Sequence, residues 1–461
     1  MAALENPKYL EAREIARTLR AAGHQAYLAG GCVRDLLLGA IPKDYDVATS
    51  ATPDTVLSLF PEKKAMTVGA HFGVVLVCEP DGSATEVATF RNDGVYTDGR
   101  RPDSVRFSTD AREDVRRRDF TINGMLLDPE IYERTGDAAQ ATLDLVGGRD
   151  DLDVKIVRAI GDPHLRFTED KLRMLRAVRF AARLGFAIDP GTATAIHQLA
   201  SQITVVSPER IRDELTLILT EGSARLGFEL LDQLGLLPHI LPEITKLHGV
   251  QQPPEYHPEG DVWIHTLLLL EKLPAGAAPT LAWGALLHDV GKPATFRAPD
   301  PNDPGDRIRF NGHVEVGVRI SEEILSRLHF SNEDIAQITA LVKNHMRFGD
   351  VRHMREATLK RFLRLHRFDE HLALHRMDCL SSHGDLSLYE FAKERFETTP
   401  LEAIQPKPLL TGRELIAAGY SPGPRFKKML EAAEDAQLEG TVRTSAEALR
   451  LVQDRFGSPA K

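Results

Sequence analysis

The sequence predicts an α+β protein: a small mixed α/β head, then a chain that is helical almost to its end. Three observations lead there. Short strand-like runs (Ala26–Ala29, Asp44–Ala48, Gly73–Cys78, Ala84–Phe90) alternate with helical patterns near the start. Pro80-Asp81-Gly82, between the last two runs, is a strong hairpin signal. From about Asp162 the apolar residues recur at helical spacing, as Leu172, Leu175, Val178 and Ala182 do.

Taken in order, Tyr9–Ala22 reads as an amphipathic helix ended by Gly23, and Ala26–Ala29 as a strand running into Gly30-Gly31. Val33–Leu38 is a helix closed by Gly39, Asp44–Ala48 the next strand, and Pro53–Phe60 a helix capped by Thr52. Thr168 is read as the N-cap of the first long helix of the helical part, and Ser207-Pro208 opens another with Pro at its first position. The Pro- and Gly-rich stretch Val250–Asp261 reads as a boundary, and Ala298–Asp306 as a loop inside a domain. The expected division is 1–145, 146–250, 251–395 and 396–461, the last a helical tail with Gly419, Gly423, Arg425, Lys427 and Lys428.

The 461 residues carry 42% hydrophobic and 27% charged side chains, the usage of a globular protein. No apolar run is long enough to span a bilayer, and Met1–Tyr9 lacks a basic-then-apolar pattern, so no membrane partner and a cytoplasmic location are expected. Cys32, Cys78 and Cys379 form neither a disulfide framework nor a zinc pattern. The net charge of −10 does not advertise a nucleic-acid binder, but arginines crowd Arg100–Arg118 and Arg166–Arg183, and local patches suffice to grip a polyanion.

The richest stretch is Gly30-Gly31-Cys32-Val33-Arg34-Asp35 followed by Asp44-Tyr45-Asp46. Carboxylates at i and i+2 of a strand share a face roughly 6–7 Å apart. They offer oxygen ligands to paired Mg²⁺ ions, while the N–H groups of a Gly30-Gly31 turn face phosphates. That layout suits nucleotidyl transfer, and Glu86 in Thr85-Glu86-Val87 is the candidate third carboxylate. Arg116-Arg117-Arg118-Asp119-Phe120-Thr121-Ile122-Asn123 offers guanidinium for phosphate and short polar groups for hydroxyls. In Glu169-Asp170-Lys171-Leu172-Arg173, Asp170 and Arg173 are expected at i, i+3 on one helix face, where they can read a base edge. Asp accepts from the exocyclic amino group that ATP and CTP share.

In this order the motifs resemble the class II nucleotidyltransferases: the bacterial CCA-adding tRNA nucleotidyltransferases and the related poly(A) polymerases. The likeness runs from about Tyr27 to Glu214, ending in Ser207-Pro208-Glu209-Arg210-Ile211-Arg212-Asp213-Glu214. It implies a head, neck, body and tail, and a nucleotide read by side chains without a template. By this resemblance Asp44 and Asp46 bind Mg²⁺, and Gly31, Arg34 and Arg118 contact the triphosphate. Asp170 and Arg173 would read the base, and Arg176 and Arg179 continue the basic face. The partners implied are CTP, ATP and a tRNA 3′ end, with no obligatory protein partner.

Bacterial poly(A) polymerases usually carry a basic Gly-Arg-Arg-Phe element after the Asp-x-Asp strand. Here Val68-Gly69-Ala70-His71-Phe72-Gly73-Val74 lacks the arginines, which favours the CCA type. The Asn92–Asp114 segment reads as full length, unlike the shortened loop of CC-adders, so an A-adder or a poly(A) polymerase remains the alternative.

A second cluster follows. His265, His288-Asp289, His313, His345 and Asp378 lie in helical segments, and imidazoles with carboxylates suit a mono- or dinuclear site for Mg, Mn, Ni, Fe or Co. Pro253–Gly384 resembles an HD-superfamily phosphohydrolase domain. That likeness implies His265, His288, Asp289 and Asp378 as core ligands and His313 and His345 for a second ion. His248, His257, His371 and His383 are read as surface or packing residues. The rival of a different class is an RNA-binding HD phosphohydrolase whose head only grips RNA, and the paired Asp44 and Asp46 argue against it.

Overall fold

Residue Ala29 ends strand β1 (Ala26–Ala29), and its partner across the antiparallel ladder is Asp46, the first residue of β2 (Asp46–Thr49). That register sets a carboxylate beside the Gly30-Gly31 turn. The computed structural model describes residues 3–61, 64–67, 73–78, 82–93, 105–255, 257–303 and 305–458. The expected turn at Pro80-Asp81, the 68–72 stretch and the 94–104 part of Asn92–Asp114 fall outside them.

β3 (Lys64–Thr67), β4 (Val74–Cys78) and β5 (Ala84–Thr89) follow, then a flanking ribbon of β6 (Arg91–Asp93) with β7 (Val105–Phe107). β8 (Leu126–Leu127) and β9 (Thr142–Leu143) complete a seven-stranded sheet of order β3-β4-β5-β2-β1-β8-β9. β4 and β5 form the expected antiparallel hairpin, and β5 runs parallel to β2 with Val47 opposite Val87. The preceding pair of positions is Asp46 and Glu86, so the parallel ladder carries Glu86 to the same end as Asp46.

Sequence and structure agree closely in the head. The first helix is Pro7–Ala21, and it buries Tyr9, Ile15, Ala16 and Leu19. The helix after the glycine turn starts earlier than expected, at Gly31, and ends at Leu37. Pro53–Leu59 is capped by the Thr52 side chain. Two expectations fail. Asp44 precedes its strand, so the same-strand argument for it does not hold. Thr168 caps nothing: it sits inside the helix Pro163–Glu169, which Asp162 caps through the amide of His164, and the long helix Leu172–Leu184 begins after a break.

The chain divides into two compact units, Met1–Pro242 and Glu243–Lys461, the division falling ahead of the expected Val250–Asp261 boundary. The regular elements of the second unit among its described residues are all helices, with an isolated bridge between Arg297 and Arg309. One of its cores gathers Phe348, Phe362, Phe368 and Leu372, and another lies in the tail around Leu415, Met429, Ala448 and Val452. No described helix is long and apolar enough to cross a membrane.

Candidate active site and candidate metal centre

Gly30 takes φ +78°, a region that favours glycine, and a Cβ there would meet Arg118 Nη1 at 3.3 Å. The glycine thus opens the approach of an arginine to the turn. Arg117 and Arg118 both fold back on Asp114, whose two oxygens accept from them at 2.6 and 2.9 Å. Arg34 is buried, donating to Asp35 Oδ1 and, at 2.7 Å, to Asn123 Oδ1.

Asp44 is exposed and paired with Lys8 Nζ at 2.7 Å. Asp46 keeps an open face to solvent, yet protein atoms crowd its carboxyl. That crowding, with Glu86 and Asp44 nearby and against the pull of Arg118, pushes it up to about 6. Asp44, Asp46 and Glu86 line one hollow with Lys8 and Glu11, so the structure brings the three expected carboxylates together. Cys32 is buried, and that burial pushes its thiol up to about 12, which keeps it protonated.

From Asp46 a cleft of about 600 Å³ opens past Gly30, Gly31, Arg34 and Arg118 to Asp170, Arg173, Arg176 and Arg210. Asp170 and Arg173 do not share a helix face, because Asp170 sits in the break and Arg173 in the first turn beyond it. Asp170 is instead held by Arg210 from the helix Pro208–Thr220, at 2.8 and 3.3 Å, and accepts the Leu172 amide at 3.1 Å. Of about four acceptor sites on a carboxylate, three are in use and one is left facing the cleft. Arg173 donates to Arg166 O, Glu169 Oε2 and Arg117 O, which leaves two of five N–H groups.

Asp119 differs. Its oxygens accept from Phe120 N, Asn123 Nδ2 and both Nε and Nη2 of Arg176, the last at 2.6 Å. All of its roughly four acceptor sites are engaged, so it fixes Arg176 and Asn123 and has none left for a ribose hydroxyl. Arg179 is also corrected. It turns away from the cleft, buried on Glu214 at 2.7 Å and over the Phe180 ring at 4.4 Å. Arg183 continues the open basic face instead. Arg210 and Arg183 were not singled out from sequence as site residues; the signal for Arg210 was its place in the Ser207–Glu214 motif.

In the second unit, His265 Nε2 lies 3.3 Å from His288 Nε2 and 3.2 Å from Asp378 Oδ1. His313 Nε2 lies 3.4 Å from His345 Nε2. Asp289 stands between the pairs: Oδ2 is 3.2 Å from His288, and Oδ1 is 3.9 Å from His313 and 3.8 Å from His345. Gly291 lets these helices meet, since a Cβ there would fall 2.1 Å from His313 O. Lys292 donates to Asp289 at 2.7 Å and to Gln252 at 2.6 Å. Burial opposes charging His265, but Asp378 and Glu259 outweigh it and raise it to about 9; burial pushes His345 down to about 4. Asp289, although buried, is held well below the carboxylate range by His288 and Lys292. All six expected ligands therefore converge, as the sets His265–His288–Asp378 and Asp289–His313–His345. Asp289, His313, His345 and Asp378 border a cavity of about 690 Å³ whose lining includes His257 and His383, two histidines read from sequence as surface or packing residues.

The first unit thus carries three carboxylates beside an arginine-lined cleft, a site whose charges are complementary to a phosphate and a cation. Comparisons with known proteins narrow the class. Residues 26–158 match the poly A polymerase head domain, 185–247 the RNA and SrmB-binding site of polymerase A, and 314–452 tRNA nucleotidyltransferase domain 2. The A-adding tRNA nucleotidyltransferase of Deinococcus radiodurans is 34% identical over 93% of this chain and 95% of its own. The CCA-adding enzyme of Oceanobacillus iheyensis is 48% identical over 45% of this chain and 49% of its own, so the match spans about half of that relative. The crystal structure of the Bacillus stearothermophilus CCA-adding enzyme in complex with CTP is 27% identical, with a TM-score of 0.71 over 98% of both chains. The chain belongs to the tRNA nucleotidyltransferase and poly(A) polymerase family.

Proposed function

We propose that the first unit transfers nucleotidyl groups from CTP and ATP to a tRNA 3′ end, adding CCA. The observation that carries this reading is the meeting of Asp44, Asp46 and Glu86 at the mouth of the arginine-lined cleft. The carboxylates fit a hard divalent cation, because crowding by protein atoms and, after it, the neighbouring Glu86 and Asp44 charges raise Asp46, and a cation relieves both. Mg²⁺ held by Asp44 and Asp46, with Glu86 as third carboxylate, would lower the pKa of the attacking hydroxyl and neutralise the leaving pyrophosphate. The protein's own part is positional. The Gly30-Gly31 turn, Arg34 and Arg118 receive the triphosphate, and Asp119 steadies Arg176 on the cleft wall. Asp170 accepts from the exocyclic amino group with its remaining lone pair, and Arg173 donates its spare N–H groups. We take the units to contain a head (1–145), a neck and body (146–250), an HD-like domain (251–395) and a tail (396–461), in a protein working in the cytoplasm.

A second reading, addition of A alone, is favoured by one observation: the relative aligned over nearly its whole length carries the A-adding name. Extension of tRNA transcripts ending before CCA, after C and after CC, with CTP, ATP or both, separates the readings. CCA on the first substrate supports the main one, A on only the CC-ended substrate supports the second, and long A tracts indicate poly(A) synthesis.

We also propose that the second unit carries an HD-type phosphohydrolase site binding Mg²⁺ or a divalent transition metal. Support comes from the tautomers. His288, His313 and His345 each place Nδ1 2.7–2.9 Å from a backbone carbonyl, which only accepts, so Nδ1 carries the proton. When neutral, His313 and His345 then face bare lone pairs at 3.4 Å, an arrangement a cation relieves. Asp44→Ala with Asp46→Ala is expected to abolish nucleotide addition and spare phosphatase activity, and His288→Ala with Asp289→Ala to do the reverse. Wild-type addition by the first variant would overturn the head assignment.

A further inference from the structure

We infer that Glu259 is a positioning residue of the second metal site, locking the tautomer of His265 and tying the cavity-lining His257 to it. The inference rests on the reading of the His–Asp cluster as a metal site. Three of its four imidazoles are anchored in the same way, each Nδ1 donating to the carbonyl three residues earlier: Ala285, Phe310 and Val342. His265 is the exception. Its Nδ1 donates to Glu259 Oε1 at 2.7 Å. The helix Val262–Glu271 starts at its Asp261 cap, which leaves Glu259 in the preceding turn, where Gly260 takes φ +124°. The same oxygen accepts from His257 Nδ1 at 2.9 Å, and the two rings stand edge to face 5.0 Å apart.

The anchor matters because His265 has two competing tautomers. In the neutral imidazole, the form that binds a metal, Nδ1 protonated toward Glu259 leaves Nε2 with a lone pair at the point shared with His288 and Asp378. Without the carboxylate, protonation at Nε2 becomes favourable, since that proton meets Asp378 Oδ1 at 3.2 Å and His288 Nε2 at 3.3 Å. A metal would then have to displace those contacts and turn the tautomer. An anionic acceptor also makes the ligating nitrogen a better donor than a carbonyl does, and loss of such a partner costs about 10- to 100-fold in metal affinity. The other three histidines keep their carbonyl anchors, so the loss stays confined to the His265–His288–Asp378 set.

The test is Co²⁺ binding to the full chain, by calorimetry and by the visible d–d bands of bound Co²⁺. Wild type is compared with Glu259→Ala, Glu259→Gln and the control His288→Ala/Asp289→Ala, each checked for folding by circular dichroism. Glu259→Ala is expected to weaken binding about 10- to 100-fold and change the bands. Glu259→Gln, which keeps an accepting oxygen but not the charge, should fall between it and wild type. If Glu259→Ala does not fold, equal affinity and bands in Glu259→Gln and wild type overturn the charge-assisted anchor. Equal binding by a folded Glu259→Ala overturns the positioning role and leaves the metal site standing. Wild-type uptake no greater than that of the His288→Ala/Asp289→Ala control overturns both.

Discussion

Replacing Arg210 with alanine tests whether the proposed base reading by Asp170 depends on the arginine that holds it. Arg210 grips both oxygens of Asp170, at 2.8 and 3.3 Å, across the gap between two helices. Hydrogen bonds to charged groups contribute about 1.5–3 kcal/mol. The two side chains are 26% and 18% exposed, so solvent screening lowers the figure to about 1–2 kcal/mol. If Asp170 reads the amino group only while Arg210 holds it in the helix break, that energy is lost from nucleotide binding. KM for ATP and CTP then rises roughly 5- to 30-fold, with a smaller change in kcat. Discrimination against UTP and GTP falls with it, because the spare acceptor site no longer has a fixed direction. Arg210→Lys supplies charge without the planar fork and restores part of the loss. The assay is single-nucleotide extension of a tRNA transcript over a range of nucleotide concentrations. KM values within about twofold of wild type in a folded Arg210→Ala protein would refute the reasoning.

Arg179 and Arg183, one helical turn apart, should behave as opposites. Arg179→Ala leaves Glu214, at 8% side-chain exposure, with the longer 3.9 Å contact to Arg176 and is expected to destabilise the first unit by about 3 kcal/mol, read as an earlier circular-dichroism unfolding transition. Trp263 and Trp283 both lie in the second unit, so their emission serves as an internal reference. Arg183→Ala should shift that transition by less than about 1 kcal/mol and weaken nucleotide or tRNA binding instead. Acid stability follows from Asp114 and Asp119, both held low by arginines despite burial. A depressed folded pKa contributes stability above the unfolded value of about 3.9 and loses it as pH falls toward the folded value. The share of first-unit stability that Asp114 and Asp119 supply should therefore be constant from neutral pH to about 5 and fall below about 4, and Asp119→Asn should remove part of that fall. An unchanged acid profile in the variant would count against the assignment.

The head was legible because its signals are local. A positive-φ glycine ahead of a helix, a capped Pro53 helix and a β-hairpin are each set by a few consecutive residues, and the structure agrees within a residue or two. Register was not legible. That Ala29 faces Asp46 and that β5 runs parallel to β2 are non-local facts, and they bring Glu86 beside Asp46. The sequence could name the three carboxylates but not show them sharing one hollow.

The helical face failed where a charged residue's direction depends on a break in the helix. Read as one helix from Thr168, the segment puts Asp170 and Arg173 on one face, with Arg176 and Arg179 continuing it. The break at Asp170 restarts the helix at Leu172, and its apolar residues then fix the rotation. Met174, Leu175, Val178 and Ala182 go inward and take Arg179 with them, while Arg173, Arg176 and Arg183 stay on the cleft side. A buried arginine needs an anion, and Glu214 from the Pro208–Thr220 helix supplies it at 2.7 Å. The same helix delivers Arg210 to Asp170. One late helix thus neutralises the hidden arginine and orients Asp170 at the cleft, which gives the Ser207–Glu214 segment a physical role that its own sequence does not express.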